Sequence, residues 1–306
     1  MAGIVALLGG LGLLLYGMHV MASGLRASAG TRLTTAFAAV GRRPWLGVLA
    51  GAGFTALIQS SSATTVSVVG LVDSGVLRFR DAIGLILGAN IGTTATAQIT
   101  ALRLTGLGLP LVGVGAVLNL AGLKKIGPWA SSLVGLGLLF LGISTLEEAL
   151  LPLSQTAWFT HLLMYVSSNR WLGLFTGAVL TAAVQSSSAT VAVLQSLGAT
   201  GLIDITGAIP IMLGADIGTT TTALLASAQT GTAARQAAVT HLLFNVAGAV
   251  VFIWLVGPLS RFAAWTSDLP ARQIANAHLT YNVACTLLLY PWIGGLARLV
   301  EKLVPE

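Results

Sequence analysis

The residues best suited to chemistry occur twice in this sequence. Gln59-Ser60-Ser61-Ser62 reappears as Gln185-Ser186-Ser187-Ser188, and the stretch from Gly88 to Thr94 reappears, with one change of charge, from Gly214 to Thr220. Serines just ahead of a helical run are natural N-caps, so their hydroxyls, the free N–H groups of the first turn and the positive helix end all suit an anion. Ser60, Ser61, Ser62, Ser186, Ser187 and Ser188 are therefore the candidates for holding an anion such as phosphate without arginine. The side-chain carbonyls of Gln59, Gln185 and Asn90 and the hydroxyls of Thr93 and Thr219 are hard oxygen donors suited to Na⁺. A cation beside the anion would offset part of its charge in a low-dielectric site, which is a physical basis for coupling the two. Thr64, Thr94, Thr190, Thr220, Asn119 and Asn245 also stand at matched positions and are candidates for lining the same cavity.

Asp216 replaces the amide of Asn90 with a carboxylate, and an acid in the middle of an apolar segment is expensive and functional by default. It is read on the cation side, the alternative being a cap for a half-helix starting near Gly218. His241 with Asn245 and His278 with Asn282 stand at i, i+4 spacing, in similar segments following Arg235-Gln236 and Arg272-Gln273. They line the cavity or form polar bonds between helices. His19 and His161 sit near segment ends and read as interfacial. A lone Cys285 excludes an internal disulfide, and the four histidines lack zinc-like spacing, so no metal beyond sodium and no cofactor is expected.

These residues must be carried by membrane helices. Of 306 residues, 55% are apolar and 8% charged, with mean hydropathy +0.90, which a soluble domain does not sustain. The net charge of +6 and pI of about 10.1 do not indicate nucleic acid, because the basic residues are scattered between apolar runs. Charge-free windows at 1–25, 82–102, 104–123, 126–146, 236–260 and 273–297 each have the length of one crossing. Windows 44–72 and 171–203 are too long for one helix and too short for two crossings, so they are expected to be re-entrant hairpins or broken helices. Window 205–234 holds Asp216 as its one charge. The first segment has no basic n-region and is read as a retained helix, and residues 147–170 as an amphipathic surface segment.

A shift of 126 residues aligns 55–97 with 181–223 without a gap, and 21 of 43 positions are identical. The expected organisation is one membrane transporter domain, 1–306, with repeat 1 at about 44–125 and repeat 2 at about 170–257. Helices at 1–25, 126–146 and 273–297 are additional. Full crossings for the Gln-Ser-Ser-Ser windows would split Lys and Arg 9 to 6 between the two sides, whereas re-entrant hairpins split them 11 to 4. The second model is adopted. It predicts an all-α polytopic membrane protein of two inverted-topology repeats with re-entrant helical hairpins and broken helices, the N-terminus outside. Four breaks are expected, at the two Gln-Ser-Ser-Ser blocks and at Gly88 to Thr94 and Gly214 to Thr220, meeting at the midplane as in secondary transporters.

The paired QSSSAT and GA(N/D)IGTT blocks resemble the type II sodium/phosphate cotransporter family over nearly the whole chain. The resemblance implies sodium-driven symport of inorganic phosphate in a bacterial cytoplasmic membrane, with phosphate, sodium and the lipid bilayer as partners and no enzymatic activity. It puts Gln59, Ser60, Ser61, Ser62, Asn90 and Thr93, with Gln185, Ser186, Ser187, Ser188 and Thr219, in ion and phosphate binding. Two features depart from the family pattern: no PhoU-like helical domain follows before Glu306, and Asp216 stands where Asn is usual. A sodium-independent phosphate exporter or channel is the alternative. An intramembrane serine hydrolase is disfavoured because three consecutive serines are duplicated and no G-x-S-x-G elbow occurs. A homo-oligomer and a separate soluble regulator are left open.

Overall fold

The structure, a computed structural model, describes residues 2–29, 44–122 and 126–305, and its regular structure is entirely helical. The first half runs through α1 (Ala2–Ala29), α2 (Pro44–Ile58), α3 (Ser61–Asp73), α4 (Phe79–Thr100), α5 (Gly108–Leu120), α6 (Gly127–Leu153) and α7 (Ala157–Ser168). The second runs through α8 (Arg170–Val184), α9 (Ser187–Ala199), α10 (Ile205–Ser227), α11 (Thr232–Phe252), α12 (Val256–Thr266), α13 (Pro270–Leu289) and α14 (Ile293–Leu303). Among the described residues, five segments are long and apolar enough to cross a membrane, or six if α11 and α12, bent by 87°, form one span. The chain is a multi-pass integral membrane protein.

The charge-free windows translate into helices unevenly. Windows 1–25, 82–102 and 205–234 become the continuous helices α1, α4 and α10. Window 126–146 becomes α6, which continues to Leu153, so Glu147 belongs to a long helix and accepts from Arg103 Nη2 at 2.6 Å rather than opening a surface segment. Window 104–123 falls short of a single crossing, window 236–260 makes one only if α11 and α12 count as one span, and window 273–297 lies within the candidate span 270–303. The first yields α5, whose 13 residues reach about 20 Å, short of the ~30 Å hydrocarbon core. The second bends between α11 and α12, and the third is interrupted by a 3₁₀ turn at Tyr290–Trp292.

Two of the four expected breaks exist. α2 ends at Ile58 and α3 begins at Ser61; α8 ends at Val184 and α9 begins at Ser187. The other two are absent, because α4 and α10 run unbroken through Gly88 to Thr94 and Gly214 to Thr220. Their glycines serve close packing. A Cβ on Gly88 would lie 2.0 Å from the Val48 carbonyl oxygen of α2, and one on Gly214 would lie 1.9 Å from the Leu174 oxygen of α8. The threonines are satisfied within their helices: Thr93 and Thr219 donate to the carbonyls of Ala89 and Ala215, and Thr94 and Thr220 to those of Ile91 and Ile217. Those threonines need neither an unwound backbone nor a water-filled gap.

The helices form two packed groups. α1 lies along α6 through glycines on both sides, a Cβ on Gly17 meeting Leu139 N at 2.4 Å and one on Gly135 meeting Met21 N at 2.2 Å, and α5 packs on the far side of α6. Leu14, Leu139 and Phe140 centre a small hydrophobic cluster of this group. The larger group holds α2–α4, α8–α10, α11 and α13, with α2 against α4 and α8 against α10. α11 packs on α3, α4 and α10, while α13 packs on α9, α10 and α4, so the two fill corresponding places beside the two copies.

The backbone approach at Gly88 and Gly214 should make each intolerant of one methyl group. Gly88→Ala or Gly214→Ala is expected to destabilise the detergent-solubilised protein by about 1–3 kcal/mol. Gly53→Ala, exposed on α2 with nothing within 4 Å of its Cβ position, is expected to be neutral or to stabilise by roughly 0.5–1 kcal/mol. Thermal unfolding of the three variants checks both statements.

Candidate functional site

The two breaks are built alike. Gln59 and Gln185 end their helices in the left-handed region, at φ 55° and 58°, a conformation uncommon for residues other than glycine. Ser60 and Ser186 then cap α3 and α9, each hydroxyl accepting from the N–H three residues on, at 3.2 Å in both copies. That leaves the N–H groups at the first two positions of each helix, Ser61 and Ser62 or Ser187 and Ser188, without an intrahelical acceptor. Thr64 and Thr190 tie the two sides of each break together. Thr64 meets the Thr55 hydroxyl at 2.8 Å and donates to the Ser60 carbonyl; Thr190 meets the Thr181 hydroxyl at 2.7 Å and donates to the Ser186 carbonyl. Ser61, Ser187 and Ser188 are buried and Ser62 is partly buried.

The breaks meet across the fold. Gln59, Ser60, Gln185 and Ser186 line one cavity of about 160 Å³, closed on its remaining side by α1. The two glutamines are not equivalent: Gln59 is buried, its Oε1 accepting from Thr96 at 2.9 Å and its amide donating to the Ala56 carbonyl, whereas Gln185 is exposed toward the opening. The copies are also bonded to each other, Thr100 of α4 donating to Gln195 Oε1 of α9 at 2.6 Å and Gln195 donating back to the Ala97 carbonyl at 2.9 Å.

A second polar level lies deeper on α4 and α10. The Asn90 Oδ1 atom is 3.1 Å from His241 Nε2 of α11, and an amide oxygen can only accept, so the imidazole proton is on Nε2. Asp216 repeats the arrangement with α13. Its carboxylate oxygens lie 3.1 and 3.2 Å from His278 Nε2, and Asn282 Nδ2 donates to Oδ2 at 2.9 Å. Asn245 and Asn282 each also donate to the carbonyl of the histidine one turn earlier. Each cluster keeps buried polar atoms without partners: Asn90 Nδ2, His241 Nδ1 and Asn245 Oδ1 in one, His278 Nδ1 and Asn282 Oδ1 in the other.

The residues expected from sequence thus divide. Ser60, Ser186, Gln59 and Gln185 line the cavity, while Ser61, Ser62, Ser187 and Ser188 at the helix starts, and Asn90, Thr93, Asp216 and Thr219, lie outside its lining. From Asn90 to Thr96, which touches Gln59, is about 9 Å along α4, so the two levels are neighbours. Asp216 does not cap a half-helix, because α10 is continuous through it. Thr94 and Thr220 bond within their helices and Asn245 belongs to the His241 cluster. Asn119 is a correction. It is exposed on α5 and pairs with Ser131 of α6 at 3.4 Å, since α5 packs on the α1–α6 group and never reaches the core. His19, read as interfacial, is exposed and also lines the cavity. Thr55, Thr96, Thr100, Thr181 and Gln195 were not singled out by sequence, and hydroxyls one or two turns from the motif carry no signal of their own. The histidines had one: residues 234–248 and 271–285 are identical at 9 of 15 positions, a duplication at a spacing of 37 that supplies each copy with its own His and Asn.

The clusters differ by one carboxylate, and that difference is measurable. His278→Ala leaves Asp216 buried with Asn282 alone and should destabilise the protein by about 3–5 kcal/mol, against about 1–3 kcal/mol for His241→Ala. The double variant His278→Ala/Asp216→Asn should regain part of the loss. Unfolding temperatures of the four purified proteins test the ordering.

The Na⁺/Pi-cotransporter family model matches residues 13–148 and again 150–280. YqeW of Bacillus subtilis, an uncharacterized protein, is 34% identical over 239 residues, covering 78% of this chain and 78% of its own length. YjbB of Salmonella typhimurium, whose name proposes inorganic phosphate export, is 30% identical over 262 residues, 85% of this chain but 48% of its own length. The human sodium-dependent phosphate transport protein 2C is 42% identical over 99 residues, 30% of this chain and 16% of its own. The chain therefore spans about half of the bacterial protein named for export and a small part of the human one. No solved structure matches it. With the paired breaks, their shared cavity and a family match over most of its length, this chain belongs to the Na⁺/Pi-cotransporter family, a family of transporters and not of enzymes.

Proposed function

We propose that the chain is a sodium-coupled carrier of inorganic phosphate in a bacterial cytoplasmic membrane. The observation that carries this reading is the convergence of both Gln-Ser breaks on one small cavity. At about 160 Å³ it is below the ~300–1,000 Å³ of sites for larger organic ligands, and suits a tetrahedral oxyanion with a few waters. Ser60 and Ser186, the caps of two helix starts with free N–H groups, line the same space, and such helix starts favour negative charge. In this reading Ser60, Ser61, Ser62, Ser186, Ser187 and Ser188 hold phosphate. Gln59, Gln185, Asn90, Thr93, Asp216 and Thr219 form the sodium side. Thr93 and Thr219 donate their protons to helix carbonyls, which leaves oxygen lone pairs for a cation. The buried, partnerless amide oxygens of Asn245 and Asn282, one in each histidine cluster, support a cation nearby.

The reading includes the inverted arrangement of the repeats, with α2/α3 and α8/α9 as re-entrant hairpins. Helices of 15 and 13 residues reach about 22 and 20 Å, each too short to span the hydrocarbon core, which supports hairpins. The charge bias that favours inversion includes Arg32, Arg42, Arg43, Lys124 and Lys125, which lie outside the described residues. Similarity to YjbB over 85% of this chain supports a second reading, in which the same site releases phosphate from the cell; in its simplest form that release uses no sodium.

Transport by the purified chain in liposomes separates the two. An imposed inward sodium gradient is expected to drive accumulation of labelled phosphate, with competition by arsenate and little by sulfate. Ser61→Ala and Ser187→Ala should each weaken apparent phosphate affinity by about 0.5–3 kcal/mol. Uptake of equal rate and extent in sodium-free buffer would replace the first reading with the second.

A further inference from the structure

The wall of the cavity opposite the breaks belongs to α1, outside the duplicated motifs. Leu15, Met18, His19, Ala22 and Arg26 line it. Their spacing of 3, 1, 3 and 4 residues puts them on one helical face, a stripe about 16 Å long that reaches roughly half the depth of the hydrocarbon core. Arg26 stands at the outer end of the stripe and His19 two turns deeper, and they are the titratable side chains in the lining. Arg26 Nη2 donates to Ser23 at 3.1 Å, and among the described residues no carboxylate pairs with the guanidinium. Both side chains are exposed to the cavity and its opening.

The charge balance of the site asks for such a group. Two helix N-termini supply about one positive charge between them, whereas inorganic phosphate carries about one to two negative charges near neutral pH. A guanidinium offers five N–H donors in a planar fork that matches two oxygens of one oxyanion. His19 adds what arginine and helix ends lack. A neutral imidazole presents a bare nitrogen that accepts a proton, and phosphate and arsenate retain an O–H at neutral pH where sulfate has none. A site with an acceptor aimed at that O–H discriminates strongly against an anion that cannot donate.

We infer that α1 completes the oxyanion site, Arg26 binding the anion's charge and His19 accepting the O–H that distinguishes phosphate and arsenate from sulfate. The inference rests on the phosphate reading and adds to it two binding residues that lie outside the repeats. The full chain in liposomes, with labelled phosphate, tests it. Arg26→Gln should raise the phosphate KM about tenfold or more with sodium dependence unchanged, and Arg26→Lys should restore part of the loss. His19→Ala should narrow the margin by which phosphate outcompetes sulfate by about tenfold. In a Cys285→Ala background, Arg26→Cys should react with an impermeant thiol reagent, and phosphate but not sulfate should slow the reaction. A wild-type chain that transports phosphate while Arg26→Gln keeps its KM, or while labelling of Arg26→Cys ignores saturating phosphate, overturns this inference and leaves the phosphate reading standing. Unchanged sulfate exclusion in His19→Ala overturns the role given to His19. A wild-type chain that transports no phosphate overturns the phosphate reading, and this inference with it.

Discussion

A helix interrupted inside a membrane releases backbone groups that have no water to turn to, and their pairing governs the rest of this fold. At Gln59 and Gln185 the chain turns through a left-handed residue, the next serine caps the following helix, and a threonine pair bonds across the turn. What stays unpaired is the pair of N–H groups at the start of α3 and again at α9. Those donors need a polar surrounding, and the capping serines just before them, Ser60 and Ser186, line the cavity that both breaks share. The same constraint explains why α4 and α10 stay intact. Their threonines bond inside the helix, and glycines let α2 and α8 lie against them at backbone distance, holding each break in position.

The duplicated design is not symmetrical in its chemistry. Gln59 is folded in against Thr96 while Gln185 faces the opening, and the amide of Asn90 has become the carboxylate of Asp216. Each copy takes its histidine from a different helix, α11 for the first and α13 for the second. One half of the buried core therefore carries a carboxylate that the other lacks, with His278 and Asn282 as its hydrogen-bond partners.

α1, α5 and α6 pack chiefly on one another, through glycine contacts and a small hydrophobic cluster that Ala192 of α9 joins from the core. The cavity lies where α1 of that group faces the breaks of the other. A ligand there touches both groups at once, the arrangement from which binding energy can bias their relative position.

The sequence by itself determined the membrane setting, the duplication, the two Gln-Ser breaks and their caps. Each of these depends on composition, on matched segments or on residues within three or four positions of one another, and such interactions are written in local order. It misjudged Gly88 to Thr94 and Gly214 to Thr220 as breaks, because glycine marks both a loosened helix and a close helix contact, and the partner strand of atoms that decides between them is some 40 residues away. It could not show that Asn119 leaves the core with α5, that His241 meets Asn90 across 151 positions, or that His19 and Arg26 of α1 face the cavity. Those contacts depend on which faces of distant helices meet, and only the packing of the whole chain chooses among apolar faces that look alike one helix at a time.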